Sequence, residues 1–287
     1  MTNNPRDTAE KPVTRPEKDA VRRVLRHLLS HCLAAAERLA PTARRFTERG
    51  PLPQFDTDEN AQAWFVAEAT SLLDAQRLAL AMKEFSHTVQ FAEALDPLLV
   101  ATDRHEELLV VLERAKFAAR QLRHPMHGTL FARTAAALIA LGRPEEALQP
   151  GKEAQALAEM GRDERSLFDA HLVLGLAHRA EGTHEQAAAR LRAAWEIGTR
   201  LSTTVPDAHV LLDRVATELT ITYLATDDVA VATRKLARDL RCRRRMAAAR
   251  VALVHAQMSP HSPNALTSPA DAPHTVPGDS ATVREIE

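Results

Sequence analysis

The chain has 287 residues, with 37 lysines and arginines against 38 aspartates and glutamates, and its formal net charge is −1. A chain this close to neutrality has no overall field that would draw it to nucleic acid or to an anionic membrane. Only 9 residues are glycine and 4% are aromatic, while alanine, leucine, glutamate and arginine are abundant. This composition favours helices over strands.

The two ends of the chain differ from the rest. Residues 1–16 are polar and lack the apolar core of a signal peptide, and residues 259–287 are rich in proline, serine and threonine. Neither end can bury enough apolar surface to offset its ordering entropy, so both are predicted to be disordered. No run of eighteen apolar residues is present, so no membrane span is expected. Cys32 and Cys242 show neither disulfide nor metal spacing, which favours a cytoplasmic location.

Residues 17–82 are predicted to form an N-terminal helical segment. Apolar residues recur at helical spacing from about Lys18 to Leu39, and a proline-rich linker follows near residues 50–55. Asp56 or Asp58 is then expected to cap a second helix, because a carboxylate can accept the unpaired N–H groups of a first helical turn.

Residues 83–258 are predicted to form an array of helix hairpins. Gly142 and Gly182 lie 40 residues apart, and so do Ala147 and Ala187. A glycine can end a helix in the left-handed conformation, and an alanine allows two helices to cross closely. Similarity at such a period is typical of a solenoid. A third turn is expected near Asp227.

These hairpins resemble the tetratricopeptide repeat. The best copy begins near Phe168 and contains Leu174, Gly175, His178, Gly182, Ala187, Leu191 and Ala194. A second copy begins near Gly128, includes Gly142 and Ala147, and departs from the pattern at Pro150 and Gly151. A third begins near Asp213 and contains Leu219, Tyr223, Ala232 and Leu236, and a degenerate hairpin around Asp103–Leu108 precedes them. The resemblance implies an all-α helix-hairpin solenoid that binds a protein or peptide.

A narrower resemblance covers residues 18–240. The order of a helix, a proline-rich linker, the segment Ala63–Glu68 and a repeat array is similar to the C-terminal half of actinobacterial ATPase regulators of specialised metabolism. This resemblance implies a regulatory role, for example in transcription and antibiotic biosynthesis. Ala69 and Ser71 stand where that family usually has arginine and asparagine. No Gly-x-x-x-x-Gly-Lys-Ser/Thr sequence is present, so the phosphate-binding ATPase half is absent.

No residue pattern predicts catalysis, a metal site or a cofactor. His105-Glu106 and His184-Glu185 begin like a zinc-binding helix, but neither is followed by the second histidine that would share the metal. His171 and His178 lie seven residues apart, at positions that the repeat fills with bulky core residues. The sequence therefore predicts a protein that is not an enzyme.

Proteins of the repeat family bind partners on the surface formed by the first helix of each repeat. The resemblance places candidate binding residues on that surface. Leu172, Leu176 and Ile221 are the predicted apolar centre, with Arg179 and Arg214 as orienting charges. Such a surface would suit an amphipathic helix of a partner. The alternative is that the chain's own segment 234–256 fills it.

A basic helix at residues 234–250, which includes Arg241–Arg245, gives a second functional alternative. It would make the protein a transcription-related regulator that contacts DNA or its machinery, although no helix-turn-helix accompanies the run. A second copy of the chain is also left open as a partner.

Overall fold

The computed structural model of the protein describes residues 15–41, 46, 51–202, 208–226 and 229–240. Within these residues the chain forms ten α-helices and no strand, which confirms the predicted all-α class. The helices are α1 (Arg15–Leu39), α2 (Asp58–Ala81), α3 (Phe85–Ala101), α4 (His105–Leu122), α5 (His127–Ala140), α6 (Pro144–Gly161), α7 (Glu164–Ala180), α8 (His184–Leu201), α9 (Ala208–Leu224) and α10 (Val229–Leu240). The two predicted disordered ends lie outside the described residues except at Arg15 and Pro16, which belong to α1, and the predicted turn at Asp227 also lies outside them.

Tight turns join the helices and recur along the chain. Six successive turns each contain one residue with a positive φ, and these residues follow one another every 19 or 20 positions: Lys83, Asp103, Arg123, Gly142, Arg162 and Gly182. At the last of them, the N–H of Thr183 donates to the carbonyl of His178 at 2.9 Å. This bond closes a helix end through a left-handed residue. The turns at Gly142 and Gly182 are those that the sequence predicts.

The start of α2 differs from the prediction. Its N-cap is Thr57, and neither Asp56 nor Asp58 has that role. The backbone of Thr57 is extended, with φ −134° and ψ 162°, and its hydroxyl accepts a hydrogen bond from the N–H of Asn60 at 3.2 Å. The threonine oxygen satisfies this N–H, so no carboxylate is needed there. Asp58 lies in the first turn, where the helix dipole favours its charge.

The hairpins stack in two layers. The odd-numbered helices contact one another directly, α1 with α3, α5 with α7 and α7 with α9, and an ion pair between Asp96 and Arg133 joins α3 to α5. Among the even-numbered helices, α2 contacts α4. Because stacked hairpins crowd together on the concave side of a curved array and spread on the other, the odd-numbered helices form its inner layer.

Glycines allow successive helices of the C-terminal half to approach closely. A Cβ atom at Gly175 would lie 2.7 Å from Cγ of Leu191, and one at Gly151 would lie 2.7 Å from Cδ2 of Leu174. Gly151 departs from the repeat pattern, which has a bulky residue at its position. The structure gives the reason, because a leucine of α7 fills the space that such a residue would occupy. α6 continues through Pro150 to Gly161.

The hydrophobic core follows the stack of helices. One buried cluster joins α1 to α5, and it includes Leu72 on α2 and Leu95 on α3. The core is therefore continuous across residue 82, where the boundary between segments is predicted, and the boundary itself stays a prediction. Two further clusters hold α5 to α7 and α7 to α10. No helix in the described part of the chain is long and apolar enough to cross a membrane.

Candidate functional site

Charged residues of alternating sign lie along the inner layer. Asp96 on α3, Arg133 on α5, Asp169 on α7 and Arg214 on α9 interact electrostatically from each helix to the next, and Glu218 adds a second charge on α9. We refer to the surface that carries these five residues as the inner face. A surface built in this way can recognise a partner by charge at several points along its length.

The first pair on the inner face joins α3 to α5. Nε of Arg133 lies 3.2 Å from Oδ2 of Asp96, while Oδ1 of Asp96 is buried without a hydrogen-bond partner. Burial raises the pKa of Asp96, even though Arg133 and His105 act in the opposite direction, whereas Asp96 raises the pKa of Arg133. The two shifts differ because the side chain of Asp96 is 8% exposed and that of Arg133 is 40% exposed. The carboxylate has therefore lost its water, while the guanidinium keeps much of its own.

Two more ion pairs extend the inner face to α9. Nε of Arg165 lies 3.6 Å from Oδ1 of Asp169 within α7. Nη1 of Arg179 on α7 donates a hydrogen bond to Oε2 of Glu218 on α9, and both side chains are largely buried. A buried and paired carboxylate of this kind fixes the position of one helix against the next, because loss of either partner would leave a buried charge.

Arg214 differs from the other arginines of the inner face. It forms no ion pair and no hydrogen bond within the described residues, although its side chain is exposed. Desolvation by the surrounding protein lowers the pKa of Arg214, in opposition to the nearby charge of Glu218. Exposure and desolvation coexist here, because a concave surface surrounds a group with protein while water still reaches it. Arg214 is thus a partly desolvated cation that lies near the charges of Asp169 and Glu218 but forms no ion pair within the described residues.

The structure corrects the predicted apolar centre of the site. Leu172 and Leu176 are 4% and 6% exposed and belong to the core that joins α7 to α10, so they are not part of an open surface. Ile221 is exposed on α9. Arg179 forms an ion pair with Glu218, whereas Arg214 forms none within the described residues. Leu172 and Leu176 are covered because α7 lies in the interior of the stack, between α5 and α9.

The residues predicted to build the repeats lie at buried or turn positions. Gly142 and Gly182 have φ values of 71° and 78°. The remaining predicted residues are buried: Leu174, Gly175, Ala147, Ala187, Leu191, Tyr223 and Ala232. Leu191 packs so closely on Gly175 that no Cβ would fit at that position.

Other predicted features fall partly outside this description. Arg241–Arg245 lie beyond the described residues, and so does most of the segment 234–256 that was the alternative occupant of the site. His171 and His178 both lie on α7, and burial lowers the pKa of each. In the part of the chain that the structure describes, no group of three or more histidine, cysteine or acidic residues could hold a metal ion.

The described helices form an array of stacked helix hairpins. Among solved structures, the chain is similar to a Podosopora anserina protein described as a kinesin light chain with nearly identical TPR-like repeats. The identity is 15% and the TM-score 0.43, over 69% of this chain and 93% of that one. A point variant of the same protein gives 16% identity and a TM-score of 0.44 over the same shares. No known protein family and no curated protein matches the sequence.

Proposed function

We propose that the protein is a non-catalytic scaffold that binds a segment of another protein along its inner face, with a carboxylate of that segment paired to Arg214. The observation that carries this proposal is the difference between Arg214 and the other inner-face arginines. The others are paired with acidic residues of the chain itself, namely Arg133 with Asp96, Arg165 with Asp169 and Arg179 with Glu218. Arg214 forms no ion pair within the described residues and is exposed and partly desolvated, so an incoming carboxylate can reach it and form a charge-assisted pair.

The second contact point of the partner is Ile221. It lies seven residues after Arg214 on α9, so the two side chains share one side of the helix and are separated by about 10 Å along its axis. Thr217 lies between them. The partner segment therefore carries an acidic and an apolar side chain about 10 Å apart, which corresponds to roughly three residues of extended chain. A segment with this mixed chemistry replaces the amphipathic helix for which Leu172, Leu176 and Ile221 are the predicted apolar centre, because Leu172 and Leu176 are covered.

The wider biological role rests on the sequence resemblance alone. A regulatory scaffold in specialised metabolism is the role implied by the resemblance of residues 18–240 to the repeat half of those regulators. Contact with DNA through Arg241–Arg245 is the alternative, and it would give binding that falls steeply with salt concentration. The inner face contributes nothing to that alternative, because its cations other than Arg214 are neutralised by the chain's own carboxylates.

A display library of random peptides, selected against the full chain, tests the proposal. Selected peptides should share an acidic residue, and their affinity should fall at least about tenfold with Arg214→Ala and further with Arg214→Glu. Ile221→Asp should weaken the same peptides. The matched control is Arg120→Ala, which removes another exposed arginine, on α4 and outside the inner face.

Two results would refute the proposal. One is selection of peptides without acidic residues whose affinity is unchanged by Arg214→Glu. The other is an equal loss of affinity with Arg120→Ala, which would show that binding depends on overall positive charge and not on the inner face.

A further inference from the structure

Two histidines of α1, His27 and His31, lie one helical turn apart and form a close pair. His27 is exposed and His31 is half-buried. The centres of the two imidazole rings are 4.4 Å apart, and the ring planes are tilted by 55°, so the rings are not stacked face to face. Histidines at this spacing share one face of a helix, and both rings can therefore reach a single ion.

A backbone hydrogen bond determines which nitrogen of His31 is available. Nδ1 of His31 lies 2.9 Å from the carbonyl oxygen of His27. A carbonyl oxygen can only accept, so Nδ1–H is the donor, and the lone pair of the neutral ring is then on Nε2. Histidines that bind metal ions commonly donate their second N–H to a backbone carbonyl in this way. Neither ring nitrogen of His27 forms a hydrogen bond within the described residues, so a lone pair is available there as well.

Aromatic residues beside α1 restrict the ring of His31 further. The ring centre of Trp64 on α2 lies 5.8 Å from that of His31, and the ring centre of Phe55, just before α2, lies 5.6 Å from that of Trp64. Both aromatic side chains are half-buried. The ring of His31 is thus held by a hydrogen bond and by a ring contact, so it loses little rotational freedom when it binds an ion.

The separation of the two rings indicates the kind of ion. A histidine nitrogen binds a metal ion at about 2.0–2.1 Å, which places the ion about 3.2 Å from the centre of the ring. Two rings bound at a right angle then have centres about 4.5 Å apart, whereas the tetrahedral angle places them about 5.2 Å apart. The observed 4.4 Å corresponds to the right angle. Neighbouring nitrogen ligands at a right angle are typical of Cu²⁺ and Ni²⁺.

We propose that His27 and His31 together bind a divalent transition-metal ion, with Cu²⁺ preferred over Ni²⁺ and Zn²⁺. This order is the general order of affinity of nitrogen ligands for these ions. The described residues provide no third histidine, cysteine or carboxylate for the ion, so its remaining positions are left to water or to a donor atom of another molecule. The site lies on α1 and is independent of the chemistry assigned to Arg214.

The charges around the pair set the expected affinity. Arg23 and Arg26 lie within one turn of His27, and their positive charges oppose the approach of a cation. Two neutral ligands and no carboxylate hold the ion. We therefore expect a dissociation constant on the order of 10 μM for Cu²⁺.

Titration of the full chain with copper(II) chloride, followed by fluorescence and by calorimetry, tests the site. Because Trp64 lies next to His31, a bound copper ion should quench its emission, and Trp64→Phe should remove this quenching while calorimetric binding remains. His27→Ala and His31→Ala should each weaken this binding at least about tenfold, because the second ligand on the same helix binds intramolecularly. The matched control is His209→Ala, which removes an exposed histidine from α9. Ni²⁺ and Zn²⁺ should bind more weakly than Cu²⁺.

A rearranged pair separates the geometry of the site from its histidine content. The double variant Arg26→His with His27→Ala keeps two histidines on α1 but places them five positions apart, about 140° apart around the helix. It also removes a positive charge, which by itself would favour a cation. This double variant should nevertheless bind Cu²⁺ no more tightly than His31→Ala.

Four results would overturn the proposal. The first is unchanged emission of Trp64 with Cu²⁺ up to about 1 mM, well above the expected constant. The second is an equal loss of copper binding with His209→Ala and with His27→Ala. The third is wild-type affinity in the rearranged double variant, which would show that single histidines bind the ion. The fourth is tighter binding of Zn²⁺ than of Cu²⁺, which would refute the preference that the ring separation indicates.

Discussion

Replacement of Gly175 by alanine should destabilise the protein, although alanine is the better helix former. The new Cβ would lie 2.7 Å from Cγ and 2.9 Å from Cδ2 of Leu191, and 3.4 Å from the carbonyl oxygen of Ala187. Carbon atoms prefer separations of about 3.5–4.0 Å, so the overlap approaches 1 Å. Leu191 has no exposed surface into which it could move. Helix propensity contributes about 1 kcal/mol in favour of alanine, and overpacking costs about 1–3 kcal/mol. Because two atoms of the fully buried Leu191 would have to move, overpacking should lie in the upper part of that range, about 2–3 kcal/mol, and the net loss should be about 1–2 kcal/mol.

Gly161→Ala is the matched control for this prediction. Gly161 is the last residue of α6, and a Cβ there would meet no atom within 4 Å. Alanine should stabilise the protein at that position by about 0.5–1 kcal/mol. Thermal unfolding should then separate the two variants by roughly 3–12 °C, since 1 kcal/mol corresponds to about 2–4 °C in a domain of this size. A Gly175→Ala protein as stable as Gly161→Ala would show that α7 and α8 do not cross so closely.

Two further predictions concern the ion pairs of the inner face. Arg179→Met should lower the free energy of unfolding by about 2–4 kcal/mol in urea, because it leaves the Glu218 carboxylate buried and unpaired. Addition of Glu218→Gln to this variant should recover most of that loss. Strictly additive losses from the two substitutions would contradict the pairing. Asp96→Asn should change how stability depends on pH. Burial raises the folded-state pKa of Asp96 above its ordinary value of 3.8, so its favourable contribution is present below about pH 4 and is lost as pH rises through the folded-state pKa. The wild type should therefore lose stability relative to Asp96→Asn as the pH rises through this range. The control Asp213→Asn, at an exposed position of α9, should follow the wild type. Identical pH profiles of stability for the wild type and Asp96→Asn would be inconsistent with a desolvated carboxylate.

The helices could be predicted from the sequence because their signals are local. The spacing of apolar residues marks a helix face, and Gly142 and Gly182 mark turns, since glycine reaches a positive φ at little cost. The turns at Lys83, Arg123 and Arg162 use the same left-handed conformation without glycine. Lysine and arginine seldom adopt it, so the sequence carries no turn signal there. These residues are left-handed because the hairpin geometry imposes it.

The inner face could not be predicted with the same success, because it depends on the rotation of each helix about its own axis. The resemblance to the repeat family places Leu172 and Leu176 on an open surface, whereas packing on both sides of α7 covers them. A usable signal was nevertheless present. Asp96, Arg133 and Asp169 are separated by 37 and 36 residues, close to one hairpin, and their charges alternate in sign. Residues of opposite charge at nearly the repeat period are expected to meet on neighbouring helices of one layer.

The even spacing of the left-handed turns bears on how such a chain can change in length during evolution. Because one turn follows another every 19 or 20 residues, a duplicated or lost segment of two turns leaves every remaining helix facing the same kind of neighbour as before. In a stack where each hairpin contacts mainly its neighbours, such an event changes the reach of the inner face while it spares the existing junctions. A gain or loss of a single helix would exchange the inner and outer layers beyond that point. The chain is therefore expected to vary among descendants in whole hairpins.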